Sequence, residues 1–152
     1  MSDLTHRLLV ADAFHAPTPD RLEAARLALT IDGDGVIAAV FRAGEAGCDE
    51  AIAQARAEGR LVEWPAGQYL LPGLVDLHVH APQYPQLGAA LDEPLEVWLN
   101  KYTFPLEARY ADLDFARAAY ARLVDDLLAN GTTTALYFAT IHQEATRALA
   151  DV

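Results

Sequence analysis

The stretch Leu71-Pro72-Gly73-Leu74-Val75-Asp76-Leu77-His78-Val79-His80-Ala81-Pro82-Gln83 constrains this chain more than any other. It is a short apolar run, opened by Pro-Gly and closed by Ala-Pro, and it carries two histidines two residues apart. That length and those boundaries read as a strand. Side chains alternate across a strand, so Asp76, His78 and His80 share one face while Val75, Leu77 and Val79 share the other. Further on, Phe115, Ala116, Ala119, Tyr120, Leu123, Leu127 and Leu128 recur at the three-and-four spacing of an amphipathic helix over residues 112–130, which Asn130-Gly131 terminates. Residues 132–139 are β-branched and aromatic with almost no charge, the pattern of a strand buried on both faces. Residues 143–150 read as a helix. Strand, helix, strand, helix is a βα repeat and implies a parallel sheet with right-handed crossovers. Between the first strand and the long helix, residues 81–94 hold three prolines and no period, which predicts an ordered loop. Residues 95–103 predict a short helix ended by Pro105, because a residue preceding proline is biased away from the helical region.

Upstream the pattern is different. Residues 7–14 and 26–31 are apolar strand candidates separated by a loop containing Pro17 and Pro19. Asp32-Gly33-Asp34-Gly35 is a turn signal before a further apolar run at 36–41, so a hairpin is expected there. Residues 49–58 are rich in helix formers, carry acids in the first turn and stop at Gly59. Residues 61–64 and 68–71 read as two more strands of the same small sheet. The change of pattern at Pro72-Gly73 divides the chain into a β-rich domain, 1–71, and an α/β region, 72–152.

Charge and cysteine content narrow the function. With 22 acidic and 11 basic residues and a net charge of -11, the surface repels phosphate backbones and anionic membranes, so neither nucleic acid nor membrane is expected as a partner. Cys48 is the only cysteine, which excludes an internal disulfide and a cysteine-rich zinc module and suits a reducing compartment. Asp3 and Asp12 interrupt the start of the chain, which is not the pattern of a signal peptide, and no apolar run approaches the ~20 residues of a membrane span; a cytoplasmic location is expected. Gly131-Thr132-Thr133-Thr134 lacks the lysine of a phosphate-binding loop, and there is no nucleophile elbow.

Two imidazoles on one strand face suit a metal-ligand pair for zinc or iron, the alternative being an incidental His-x-His with no metal. A catalytic zinc takes three protein ligands and leaves one position for water, so a further ligand is required. His142, just past the second strand, is one candidate, the alternative being a surface position at the start of a helix. Asp76 is placed to orient an imidazole through a hydrogen bond. The pair ends its strand where parallel α/β sheets put their active sites, at the strand C-termini. Gln83 opens the following loop with an amide that both donates and accepts, suited to reading a heterocycle edge or to plain solvation. Trp98, Tyr102 and Phe104 serve either to stack on a planar ligand or to fill the core. His6 and His15 read as structural or exposed.

The segment from Leu71 to His80 resembles the first barrel strand of the metal-dependent amidohydrolases, whose His-x-His supplies two metal ligands. Residues 1–71 resemble the small β-sandwich that accompanies that barrel. Within the superfamily, His80-Ala81-Pro82-Gln83-Tyr84, Trp98-Leu99-Asn100-Lys101-Tyr102-Thr103-Phe104-Pro105, Asn130-Gly131-Thr132-Thr133-Thr134 and Tyr137-Phe138-Ala139-Thr140-Ile141-His142 resemble the guanine deaminase family. The resemblance implies an α/β fold made of a small β-sandwich-type domain and the first two βα units of a (β/α)8 TIM-type barrel. It implies one zinc per site, with iron as the alternative, held by His78 and His80, and a purine contacted by His80, Ala81, Pro82 and Gln83. It further implies hydrolysis of guanine to xanthine and ammonia by a zinc-activated water, and a homodimeric full-length protein. The other family ligands, a His and an Asp, and a proton-shuttling Glu belong to later strands, so no catalytic residue is expected in this chain. A whole barrel needs about 250 residues, so a chain with two βα units is expected to be a truncated part, inactive alone. Two alternatives stay open: another amidohydrolase acting on a different aminopurine or a triazine, and a non-catalytic fragment working through a partner chain.

Overall fold

The computed structural model describes residues 3–152. The chain forms two compact units, Met1–Pro72 and Gly73–Val152.

In the first unit, strands β1 (Leu8–Thr18) and β2 (Arg21–Ile31) pair antiparallel, and β3 (Ile37–Arg42) adds antiparallel to β2. Strands β4 (Leu61–Glu63) and β5 (Tyr69–Leu70) each run parallel to β1. The long β1–β2 hairpin replaces the proline loop that the sequence suggests. Its ladder shifts register between His15 and Thr18, and Pro17, which has no N–H to donate, sits in that irregularity. The Asp32–Gly35 turn forms as its sequence requires. The Asp32 carboxylate accepts from the N–H groups of Asp34 at 3.0 Å and Val36 at 2.9 Å, and Gly35 takes φ 78°. Helix α1 (Cys48–Ala57) packs Cys48 and Ala55 against Leu8, Val10 and Ala28, while Leu9, Ala11, Leu27, Leu29 and Ile31 form a core on the opposite face. Among the described residues this is one five-stranded sheet rather than the two layers of a sandwich, because every strand is hydrogen-bonded into a ladder through β1 and β2.

In the second unit, β6 (Leu74–His80) pairs in parallel with β7 (Thr132–Phe138). The crossover runs through a 3-10 turn (Ala81–Gln86), α2 (Leu95–Trp98), a π turn (Leu99–Thr103), α3 (Phe104–Ala108) and α4 (Leu113–Ala129); α5 (Gln143–Ala150) follows β7. Asp112 caps α4, its carboxylate accepting from the N–H groups of Asp114 and Phe115 at 2.9 and 3.3 Å. The apolar stripe of α4 builds the core: Ala116, Tyr120 and Leu123 pack with Tyr110, Ala145, Leu149 and Ala81.

Two expectations are corrected here. Pro105 does not end a helix. The residue before it, Phe104, is helical at φ -64°, ψ -39°, and the wide turn at Leu99–Thr103 hands the chain on so that Pro105 falls in the first turn of α3, where a missing N–H costs nothing. Nor is β7 buried on both faces. Leu136 is 49% and Phe138 42% exposed, as are Val75 at 61% and Leu77 at 68% on β6, because two strands with helices along part of them cannot cover both faces of a sheet. No helix among the described residues is long and apolar enough to cross a membrane.

Gly73 sets the start of β6 against β7. A Cβ there would lie 1.8 Å from Thr133 Oγ1 and 2.7 Å from Thr133 Cβ, so rotating the threonine cannot relieve the clash. Gly73→Ala is therefore expected to destabilise this unit by about 1–3 kcal/mol. Urea melts of Gly73→Ala, Thr133→Gly and the double variant check this, the double variant losing less than the two single losses combined.

Candidate metal and ligand site

At the C-terminal end of β6 the strand alternation puts His78 and His80 side by side. Their Nε2 atoms lie 3.2 Å apart with ring centroids at 5.1 Å. The Asp76 carboxylate accepts the backbone N–H of His78 at 3.0 Å, so it holds the strand rather than an imidazole ring. Phe138, the register partner of His80 on β7, stacks on the His80 ring at 4.9 Å and 16° and packs against His78 at 4.6 Å. The two rings thus rest on a common aromatic support.

The chain turns directly after His80. Ala81 and Pro82 are buried, which anchors the 3-10 turn, and Gln86 Nε2 donates to the buried Thr103 Oγ1 at 2.8 Å, tying the turn to the π segment. Gln83 Nε2 donates to Glu107 Oε1 at 3.0 Å and lies 3.4 Å from His80 Nδ1. The Tyr84 hydroxyl donates to Asp126, a bond that raises the Tyr84 pKa above its ordinary value. A cavity of about 690 Å³ opens here, lined by Asp76, His78, His80, Gln83, Tyr84 and Asp126 among others.

The donor set fits a divalent metal. Two imidazole nitrogens bound to one tetrahedral zinc at 2.0–2.1 Å stand about 3.3 Å apart, and His78 and His80 already hold theirs at 3.2 Å. No third ligand joins them: among the described residues there is no group of three or more His, Cys, Asp or Glu placed to hold an ion. His142 caps α5 instead, its N–H donating to Thr140 Oγ1 at 3.2 Å and its carbonyl accepting from the Thr146 N–H at 3.0 Å. Trp98, Tyr102 and Phe104 do not line this cavity, and Lys101 Nζ sits 5.1 Å from the Tyr102 ring centre. His15 lies in β1 opposite Glu23, and His6 lies against Gly33; both belong to the first unit.

Glu107 and Phe138 are absent from the sequence-based candidates. Phe138 was accessible to alternation, since it ends a strand running parallel to β6. Glu107 was not, because its position depends on the helical path continuing past Pro105.

Residues 69–152 match the model of the Amidohydrolase family. Guanine deaminase of Homo sapiens is 53% identical over 85 residues, covering 56% of this chain and 19% of that protein. Guanine deaminase of Escherichia coli (strain K12) is 51% identical over 83 residues, covering 55% and 19%. Among solved structures, guanine deaminase from C. acetobutylicum with bound guanine in the active site superposes with a TM-score of 0.75 at 32% identity, over 95% of this chain and 32% of that one. E. coli guanine deaminase gives the same TM-score at 31% identity, over 95% and 33%. The chain therefore spans less than a fifth of these curated relatives and about a third of the solved structures. The resemblance noted in the sequence is thus borne out by independent matches in sequence and in structure. The family match takes in more than half of the chain, including the whole of β6 with its histidine pair, and on that match the chain belongs to the amidohydrolase family.

Proposed function

We propose that this chain is the N-terminal part of a zinc-dependent guanine deaminase, with Gly73–Val152 as the first two βα units of its (β/α)8 barrel and residues 1–71 as part of its small β-rich domain. The observation that carries this reading is the strand end itself: two imidazole nitrogens at ligand spacing, with the Gln83 amide beside His80 in one cavity. The solved relative that holds guanine in its active site supports the choice of substrate.

In this reading His78 and His80 hold the metal, zinc before iron. Gln83 binds the purine edge, and the buried Ala81 and Pro82 keep its backbone from shifting. Asp76 fixes the backbone of His78, and Phe138 limits the rotation of both rings. When bound, zinc lowers the pKa of a water to about 7 and so makes a nucleophile available at neutral pH. Water then replaces the amino group of guanine, and ammonia and xanthine leave. The chain offers two protein ligands where a catalytic zinc takes three. The 152-residue chain alone is accordingly expected to bind zinc weakly and to turn over no guanine.

The test is a hybrid in which this whole chain replaces the matching third of E. coli guanine deaminase. The hybrid is expected to convert guanine to xanthine, and Gln83→Ala is expected to lower kcat/KM for guanine roughly tenfold, the worth of one hydrogen bond to the base. A folded, metal-loaded hybrid that hydrolyses an aminotriazine or another aminopurine while leaving guanine untouched overturns the assignment.

A further inference from the structure

The Gln83 amide has two chemically different ends, and its neighbours decide which end the cavity sees. Glu107 is half-buried on α3, and its carboxylate faces the Gln83 side chain at 3.0 Å. A carboxylate only accepts hydrogen bonds, so it holds the Nε2 end; turning the amide over would set Oε1 against a carboxylate oxygen. His80 Nδ1 lies 3.4 Å from the same Nε2. Oε1 receives no hydrogen bond from the described residues, and Gln83 lines the cavity beside the histidine pair. The Glu107 contact therefore uses the donor end and leaves the acceptor end for a ligand.

Resting on the function proposed above, we infer that Glu107 is a positioning residue that locks the Gln83 amide with its oxygen toward the ligand, so that the site selects a heterocycle presenting a ring N–H donor. Guanine presents such a donor in its amide-like ring N–H. An unsubstituted purine ring nitrogen, an acceptor, meets the same oxygen unfavourably. Glu107 acts on the site through its hydrogen bond with Gln83. The same carboxylate adds, after burial, to the upward pKa shifts of Tyr110 and Tyr120, which places its charge close to the core under the site.

Two measurements test this. In the 152-residue chain, NMR reads how fast the Gln83 side-chain amide protons exchange with water. Exchange is expected to quicken about tenfold in Glu107→Ala, which removes the acceptor, and by less in the isosteric Glu107→Gln, which keeps a neutral one. In the hybrid enzyme, Glu107→Gln is expected to raise KM for guanine about tenfold with kcat within twofold and an unchanged melting temperature, since uniform binding is lost and chemistry is not. Equal amide exchange in all three chains overturns the inference. So does an unchanged KM, or a fall in melting temperature with kcat and KM both intact. If the unsubstituted hybrid shows no guanine turnover, the functional reading fails while amide exchange still decides whether Glu107 holds Gln83.

Discussion

Alanine at His78 or at His80 is expected to cut guanine turnover by the hybrid enzyme ~1,000-fold or more. A catalytic metal supplies several kcal/mol of transition-state stabilisation, and each 1.36 kcal/mol is a factor of ten in rate. Removing one of two adjacent imidazoles leaves the ion without a ligand that cannot be replaced from the same strand. In the 152-residue chain both side chains are exposed at the strand end, so there neither substitution opens a cavity in the core. Losing the His80 ring removes its stack on Phe138, worth about 0.5–1.5 kcal/mol at most. Metal content by mass spectrometry, kcat and a thermal melt separate the outcomes. A His80→Ala hybrid that keeps both its zinc and its turnover would take the pair out of the mechanism.

The largest expected effect on stability lies at Tyr120. Its side chain is fully buried and its ring lies 5.0 Å from that of Tyr110, within the cluster that joins α4 to α5 and to the turn after β6. Truncation to alanine is expected to cost about 3–5 kcal/mol, a large share of the ~4–12 kcal/mol that a unit of this size possesses. Tyr120→Phe behaves differently. The hydroxyl makes no hydrogen bond with any described protein group, so phenylalanine keeps the packing and is expected to stay within about 1 kcal/mol of the parent at neutral pH.

The two variants also separate at high pH. Burial, then the charge of Glu107, pushes the Tyr120 phenol up to about 12, against about 10 for an unfolded tyrosine. The fold therefore favours the neutral phenol. That contribution is complete below pH 10 and is lost as the pH climbs from about 10 to about 12. Tyr120→Phe is expected to lose less stability over that window than the parent, as measured by urea melts at pH 7 and at pH 11. Tyr110, raised further by burial and by Tyr120, adds to the parent's loss.

What the residues reveal unaided follows from how local each feature is. The His78–His80 pairing needs only strand alternation, the Asp32-Gly33-Asp34-Gly35 turn only glycine's freedom and an Asp side chain, and α4 only its repeat and the cap at Asp112. Features set by non-local geometry are not legible in this way. The π turn before Phe104 exists because the crossover must carry helical backbone past Pro105, and Glu107 reaches Gln83 only as a result. The exposure of Leu77 and Leu136 is likewise set by how much of the two-stranded sheet the helices cover, which an uncharged run such as residues 132–139 does not disclose. Asp76 shows a third limit: alternation puts it on the histidine face, but its carboxylate accepts the His78 backbone N–H.

Zinc titration of the 152-residue chain reads out whether the end of β6 is a metal half-site. The imidazole resonances of the five histidines report the outcome individually. The resonances of His78 and His80 are expected to move together along one weak, single-site isotherm that saturates only with excess zinc, while His6, His15 and His142 stay in place, and His78→Ala is expected to abolish the response. Zinc that shifts all five alike, or that moves His142 or His6 and leaves the pair untouched, would rule out a metal half-site on β6.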